Sequence, residues 1–426
     1  MAYYTQNQKI EQVSNDAMVV GVDIGSKTQH ARAFDYRGRE VSKVLKFTNS
    51  RSGFELFLAW MRSLVSEKDF KKIIVGMEPT GHYWFNLRDF LAKEGIMLVI
   101  VNPLHVKQSK ELDDGSQTKN DRKDPKVIAR LVCEGRYSVP YTPEGVYADL
   151  RIVWQDRERQ MSDLIRAKNR ITEWISTYFP EYAEVFKDVF SKSSLTLLRK
   201  ACTPSDMLEL GADGIKEIWH DEKVRAASDN KVKNLLAAAE QSIGCHRDSD
   251  VVRRQLAGFI REYDFHVGEL ETLEAQLAEL LEQIPEAAYL LNTKGVGLVT
   301  VAGLLAEAGD LRRFKSPKQL LKLSGLSLRE NSSGKHKGET TISKRGRARL
   351  RKVIFNGALA AIRFNAEFRQ VHEYYTKRLE NPLKHKQSVI AVGCKLVRVL
   401  YSLFVHGRSY DGQRMLADIH RPLQAA

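Results

Sequence analysis

Met18-Val19-Val20-Gly21-Val22-Asp23-Ile24 is an apolar, β-branched run that ends on a single acid and passes into the small-residue turn Gly25-Ser26. A strand buried on one face alternates apolar and polar residues. A strand buried on both faces reads as nearly continuous apolar sequence, and this run is of the second kind. Two later runs share its character, KIIVGME at 72–78 and IMLVIVN at 96–102. Between the first two, QHARAFDYRGREVSKVLKF (29–47) divides into two further strands about the turn Tyr36-Arg37-Gly38. Helical spacing marks GFELFLAWMRSLV (53–65) and HYWFNLRDFLAKEG (82–95), the latter closing at a glycine cap, Gly95.

The expected order is βββαβαβα, a sheet that begins antiparallel. It describes an RNase H-like domain over 16–145 better than a doubly wound nucleotide-binding domain, whose first strand passes straight into a helix. Beyond it, Leu150, Val153, Trp154, Met161, Leu164, Ile165 and Ile171 predict a long helix. Residues 180–249 carry helical pieces with Gly and Pro punctuation and no usable motif. From Tyr263, the positions His266, Leu270, Leu273, Leu277, Leu280 and Ile284 alternate by threes and fours until Pro285. A helical hairpin with the 150–175 helix and an intermolecular coiled coil fit this pattern equally, and the two can coexist. The reading is thus an α/β domain, a helical and coiled-coil middle (146–286), an all-helical basic C-terminal domain (287–410) and a tail (411–426). Within the last domain, Lys294-Gly295-Val296-Gly297 resembles a helix-hairpin-helix turn, whose backbone N–H groups bind phosphate.

A chain of 426 residues exceeds one ordinary core, and 43% apolar with 28% charged residues excludes a wholly disordered or collagen-like polymer. The net charge of +14 points to a polyanionic partner, nucleic acid ahead of an anionic membrane surface. Cys133, Cys202, Cys245 and Cys394 lie far apart without a CxxC pair, so neither a zinc knuckle nor a disulfide framework is expected, and a reducing cytoplasm fits. MAYYTQNQKIEQ does not read as a secretory signal. Lys395 and Arg398 interrupt the apolar stretch Val389 to Val405, so no membrane span is expected.

Four acids stand out. Asp23 ends the first strand, and Glu78 ends the 72–78 strand, immediately before Pro79. Asp121 and Asp124 sit three apart at the expected start of the helix through Ile128 and Leu131, sharing one face. Such a set offers oxygen ligands for two Mg²⁺ or Mn²⁺ ions at a phosphodiester. Taken singly, Asp23 reads equally as a turn cap, Glu78 as a surface residue and Asp121 as an N-cap. Their joint placement at strand and helix ends favours the metal site.

These residues lie in VDIGSKTQ, GMEPTGHYW, VNPLHVK and TKNDRKDPKVIARL, followed later by GVGLVTVAGLLAEAGDLRRFKSPKQLLKLSGL and NSSGKHKGETTISKRGRARLR. In that order they resemble the DEDD transposases of the bacterial insertion-sequence family called IS-one-ten, several of which are recombinases guided by a bridge RNA. The resemblance spans almost the whole chain. It implies that Asp23, Glu78, Asp121 and Asp124 are the metal-binding tetrad of a RuvC-like domain. It also implies that Ser333, in a loop before a basic ISK-R-G motif, is a nucleophile forming a phosphoserine ester with DNA. Ser332 precedes it. By composition alone, Asn331-Ser332-Ser333-Gly334 is a polar turn. Around it, Lys335, Lys337, Lys344, Arg345, Arg347, Arg349, Arg351 and Lys352 exceed the nearby acids, which points to phosphate contact, as do Lys119 and Arg122 beside the tetrad and Lys294, Gly295 and Gly297.

The implied function is a transposase or site-specific recombinase acting on donor and target DNA. Its implied partners are a structured noncoding guide RNA and further copies of the chain, as a dimer or dimer of dimers, with no membrane partner. Two alternatives keep part of this reading. A RuvC-like junction nuclease using water would retain the acids without needing Ser333, and a non-catalytic nucleic-acid-binding protein would need neither.

Overall fold

Six strands form one mixed sheet in the first of two units into which the chain divides, Met1–Thr142 and Pro143–Ala426. The computed structural model describes residues 6–79, 81–114, 124–224, 228–245, 249–329, 332–333, 336–337 and 340–417, with the backbone alone at 110–114, 332–333 and 336–337. The first unit runs α1 (Gln6–Glu11), β1 (Ala17–Asp23), β2 (Thr28–Phe34), β3 (Leu45–Thr48), α2 (Arg51–Lys68) and β4 (Lys72–Met77). It continues through α3 (Phe85–Lys93), β5 (Met97–Val101), α4 (Pro103–Asp114), α5 (Asp124–Cys133) and β6 (Tyr137–Ser138).

The strand order is β3-β2-β1-β4-β5-β6. β1 pairs antiparallel with β2 and parallel with β4, so the expected βββαβαβα succession is present. A short edge strand, β6, adds to it antiparallel to β5. Two local readings change. β2 and β3 are joined by a longer excursion than a hairpin, in which Phe34 bridges Glu40 before β3 begins at Leu45. The segment from His82 becomes helical only at Phe85, after a turn through Gly81 to Trp84.

The continuous apolar character of β1 arises because both faces are covered. Met18, Val20 and Val22 pack with Phe57 and Met61 of α2 and Leu87 and Leu91 of α3. Ala17 and Val19 pack with Val127, Ile128 and Leu131 of α5. The same alternation sends Val75 and Met77 of β4 to the first face and Ile74 to the second. Gly21 and Gly76 fall on the α5 face, where the helix comes closest. A Cβ on Gly21 would lie 1.9 Å from the Pro125 carbonyl oxygen, and one on Gly76 would lie 2.5 Å from the Val132 side chain.

The second unit opens with α6 (Val146–Tyr178), followed by α7 (Tyr182–Val185), α8 (Lys192–Lys200), α9 (Pro204–Asp221), α10 (Asp229–Glu240) and α11 (Asp250–Glu282). α6 and α11, each of 33 residues, form an intrachain hairpin, one of the two arrangements that the 263–284 pattern allows. Polar pairs set its register. Arg157 donates from Nε and Nη2 to Glu274 at 2.9 and 2.7 Å, His266 Nδ1 lies 2.6 Å from Gln160 Oε1, and Arg170 meets Glu262. Rising numbers on α6 pair with falling numbers on α11, as antiparallel packing requires. The stretch without a motif, 180–249, builds a separate core with the distal parts of the hairpin, in which Trp174, Phe179, Tyr182, Phe186 and Trp219 are buried.

The remainder comprises α12 (Ala287–Leu291), α13 (Leu298–Ala308), α14 (Pro317–Ser324), α15 (Ala348–Phe364), α16 (Ala366–Lys377), α17 (His385–His406) and α18 (Gly412–Leu416). By length and composition alone α17 could cross a membrane, but Val389, Val392, Leu396, Leu400 and Phe404 lie buried in this unit's main core. The all-helical reading of 287–410 is corrected by two short ribbons. β7 (Leu328–Arg329) pairs with β10 (Thr341–Ile342), and β8 (Ser332–Ser333) with β9 (His336–Lys337). The polar, glycine-containing intervals between these pairs favour chain reversal over helix.

Two outcomes follow from this packing. Gly21→Ala places a methyl group against a backbone carbonyl and is expected to lower stability by roughly 1–3 kcal/mol, read as an earlier thermal transition. In the second unit, burial opposes ionisation of Asp206, but the Arg253 guanidinium and the Cys202 and Thr203 backbone N–H groups outweigh it, holding the carboxyl at about 2. A depressed folded-state value stabilises above the unfolded value, and the gain is lost as pH falls through about 4 to about 2. Asp206→Asn is therefore expected to cost roughly 1–2 kcal/mol at pH 7, discounted because the pair reaches solvent, with the gap to wild type closing toward pH 2 in denaturant melts.

Candidate functional site

The register of β1 and β4 places the first two acids. Val22 is the Cα partner of Met77, so Asp23 and Glu78 are the next residues on neighbouring parallel strands, whose axes lie about 4.8 Å apart. Strand alternation puts Asp23 in line with Gly21 on the α5 face, and continued one residue past β4 it would put Glu78 in line with Gly76 there. Both are half-buried. Asp124 opens α5, and the next residue, Pro125, carries the carbonyl that touches Gly21. Asp23 and Asp124 are thus each within two residues of one backbone contact. Asp121, Lys119 and Arg122 lie outside the described residues. Among the described residues, no group of three or more His, Cys, Asp or Glu side chains is close enough to hold a metal ion.

Burial and the charge of Asp35 push the Cys133 thiol, at the end of α5, up to about 11. A thiol so protonated offers no thiolate to compete as a nucleophile in this unit.

In the second unit, Ser333 is paired with His336 across the β8–β9 ribbon, directly before the two-residue connection. Of the segment read from composition as a polar turn, Ser332 and Ser333 are strand residues, while Asn331 and Gly334 lie outside the described residues. Lys337 is described by its backbone alone, and Lys335 lies outside the described residues.

The basic segment divides by what its side chains touch. Arg347 donates to the Glu307 carbonyl at the end of α13, beside Arg151, which donates to the Ala306 and Glu307 carbonyls, and Arg313, which donates to Ala308. Arg351 Nη1 donates to the Ser324 carbonyl at 3.0 Å and to that of Lys344 at 3.3 Å. Lys352 pairs with Glu158 at 2.8 Å. Lys344, Arg345 and Arg349 are exposed. Half-buried arginines that satisfy helix-terminal carbonyls are needed for packing whether or not they also meet phosphate. Arg151 and Arg313 have the same role, which sequence pattern did not reveal, since their carbonyl partners are distant in the chain or lie in a turn.

Around Lys294, the turn is built as expected. Gly295 has φ +84° and approaches Ala361 of α15, Asn365 Nδ2 donates to the Lys294 carbonyl at 3.0 Å, and Gly297 caps α13. With Leu291 and Phe364 they border a depression of about 390 Å³.

Residues 20–180, containing the end of β1 with Asp23 and all of β4 and α5, match the transposase model of the DEDD IS110 type, and residues 287–373 match that of the transposase IS116/IS110/IS902 family. The chain is 25% identical over 309 residues to the insertion element IS110 uncharacterized 43.6 kDa protein of Streptomyces coelicolor, covering 71% of this chain and 74% of that one. It is 23% identical over 400 residues to the pilin gene-inverting protein of Moraxella bovis, covering 92% and 97%. The transposase of insertion sequence element IS1111A from Coxiella burnetii is 22% identical over 338 residues, covering 79% of each. With both family models matched in order and together covering more than half of its length, the chain belongs to the IS110 (IS-one-ten) family of DEDD transposases.

Proposed function

We propose that the chain cuts and rejoins DNA through a covalent phosphoserine intermediate, using a RuvC-like carboxylate site in the first unit and Ser333 in the second. The observation that carries the reading is the β1–β4 register, which sets Asp23 beside Glu78 on the face where Asp124 begins α5. The 3-2-1-4-5 order of the first five strands supports the RNase H/RuvC-like assignment. Asp23, Glu78 and Asp124, which by themselves are not gathered closely enough to hold an ion, would be drawn together with Asp121 around Mg²⁺ or Mn²⁺, for which an all-carboxylate donor set is suited. The metal would supply charge stabilisation at the phosphodiester.

In the proposed cleavage, the Ser333 Oγ–P bond forms while the P–O3′ bond breaks. The serine proton is lost to a base, and the departing oxygen takes up a proton to become a 3′ hydroxyl. Rejoining reverses this with the 3′ hydroxyl of the partner strand, restoring the serine, so ester energy is conserved without a nucleotide cofactor. Lys344, Arg345 and Arg349 are free to face solvent and would contact phosphate, with the Lys294–Gly297 turn as a second backbone-binding point. Lys119 and Arg122, near the carboxylates in sequence, and Lys335 and Lys337, near Ser333 in sequence, would also contact phosphate. The similarity to a pilin gene-inverting protein supports recombination between two DNA sites. Family membership supports a structured noncoding guide RNA, assembly of several copies so that four strands are cut, and action at the nucleoid in a bacterial cytoplasm.

Ser333→Ala is expected to abolish the protein–DNA adduct on denaturing gels, and Asp23→Asn to abolish cleavage, by at least about a hundredfold each. Chelation should stop the reaction and added Mg²⁺ or Mn²⁺ restore it. Full cleavage by Ser333→Ala with no trapped adduct would establish the water-using nuclease instead. Unchanged DNA with metal and guide present would establish a binding protein.

A further inference from the structure

The turn after Glu78 carries four consecutive rings, His82-Tyr83-Trp84-Phe85, and their fates differ. Trp84 is half-buried and packs against the α2–α3 core, as large aromatics ordinarily do. Tyr83 is 36% exposed and Phe85 43% exposed, although both belong to a unit with a well-filled core next to them. They are organised rather than loose. The His82 and Tyr83 ring centroids are 4.4 Å apart, and those of Trp84 and Phe85 are 4.9 Å apart. The Arg88 guanidinium lies 5.2 Å from the Phe85 centroid and 5.5 Å from that of Trp84, while its Nε donates to Asp89 at 2.7 Å. The result is a solvent-facing aromatic ledge with a fixed cation beside it.

We infer that Tyr83 and Phe85 form a stacking ledge for unpaired bases of the DNA strand held at the carboxylate edge, an inference that rests on the proposed DNA-processing function. The ledge leaves β4 at the end that carries Glu78. Tyr83 is five residue steps from Glu78, which limits the distance between their Cα atoms to about 17 Å. One DNA strand rises about 3.4 Å per nucleotide, so the ledge serves bases within about five nucleotides of a phosphate at the acids. Stacking suits the chemistry because every base presents a π face, and the binding is tolerant of sequence. Arg88 adds a positive charge that matches the adjoining backbone. Position at the carboxylate edge favours the strand being cut over a guide RNA.

The test uses the full-length chain and a fluorescein-labelled oligo(dT), alone or as a duplex with oligo(dA), read by fluorescence anisotropy. Because both side chains are exposed, the Tyr83→Ala/Phe85→Ala double variant should melt like wild type. It is expected to lose about tenfold or more in affinity for the single strand while duplex affinity stays within about twofold, and Tyr83→Phe/Phe85→Tyr should keep both. Undiminished single-strand binding, or equal loss on the duplex, overturns the proposal. Loss on oligo(U) RNA with none on oligo(dT) overturns the assignment to DNA. Binding is read without cleavage, so failure of the serine or carboxylate chemistry would leave this result standing, and failure of the ledge would leave that chemistry untouched.

Discussion

The contact between the first turn of α5 and the middle of β1 constrains the first unit more than any other. Without a side chain at Gly21, the Pro125 carbonyl can sit where a Cβ would be, and Gly76 makes the corresponding room for Val132 on the next strand. The helix therefore lies flat and close on the sheet. Its N-terminus is brought to the strand ends where Asp23 and Glu78 stand. Replacing either glycine by a larger residue lifts α5 and moves Asp124 with it, so packing and site geometry are one constraint. Glycine carries an entropic cost in a strand, offset here by the burial of Val127, Ile128, Leu131 and Val132.

That contact also marks the limit of what could be read from the chain. Strand and helix succession was legible because double-sided burial leaves continuous β-branched runs, and β1, β4 and β5 are such runs. The acids were legible because an ionisable residue at the end of a buried run has few packing roles. The glycine approach was not, since Gly21 and Gly76 sit inside apolar runs and read as ordinary strand residues. Nor were the ribbons at 328–342, whose two-residue strands are too short to show periodicity. The 180–249 core escaped for another reason. Its helices are short, and their apolar residues are completed by Trp174 and Ile175 on α6 and Leu256 and Ile260 on α11, so no single segment displays a full buried face.

Basic residues illustrate how composition overstates binding. The cluster at 344–352 reads as uniform positive charge, yet Arg347 and Arg351 spend donors on backbone carbonyls inside the unit. Leaving those carbonyls buried and unpaired costs about 1–3 kcal/mol each, so the arginines have a folding role independent of any phosphate. A guanidinium has five donors in a planar fork, and one that caps a helix end still presents its remaining edge. Arg351 can thus tie α15 to the turn at Gly325, and Arg347 tie it to the end of α13, in the segment that also carries the exposed Lys344, Arg345 and Arg349. The net charge of +14 therefore measures partner preference only after such internal uses are subtracted.

β1 ends on Asp23 and β4 is followed directly by Glu78, an adjacent placement of two carboxylates that calls for partners or a bound cation to offset the repulsion of like charges on neighbouring strands. Burial adds to the penalty by removing water from both groups. The surrounding unit offsets it with two fully packed faces, Val20, Val22 and Met77 on one side and Val19 and Ile74 on the other, immediately behind the acids. Stability is concentrated one to four residues from the point where it is given up. Acids at the ends of otherwise apolar strands depart from the local burial rule while the neighbouring levels of structure obey it, the contrast by which the proposed site would differ from a chance run of acids. The exposed rings at Tyr83 and Phe85 break the burial rule at the same end of β4, next to the same acid. The two departures lie beyond the same end of β4, where the proposed carboxylate site and the proposed stacking ledge would both be placed.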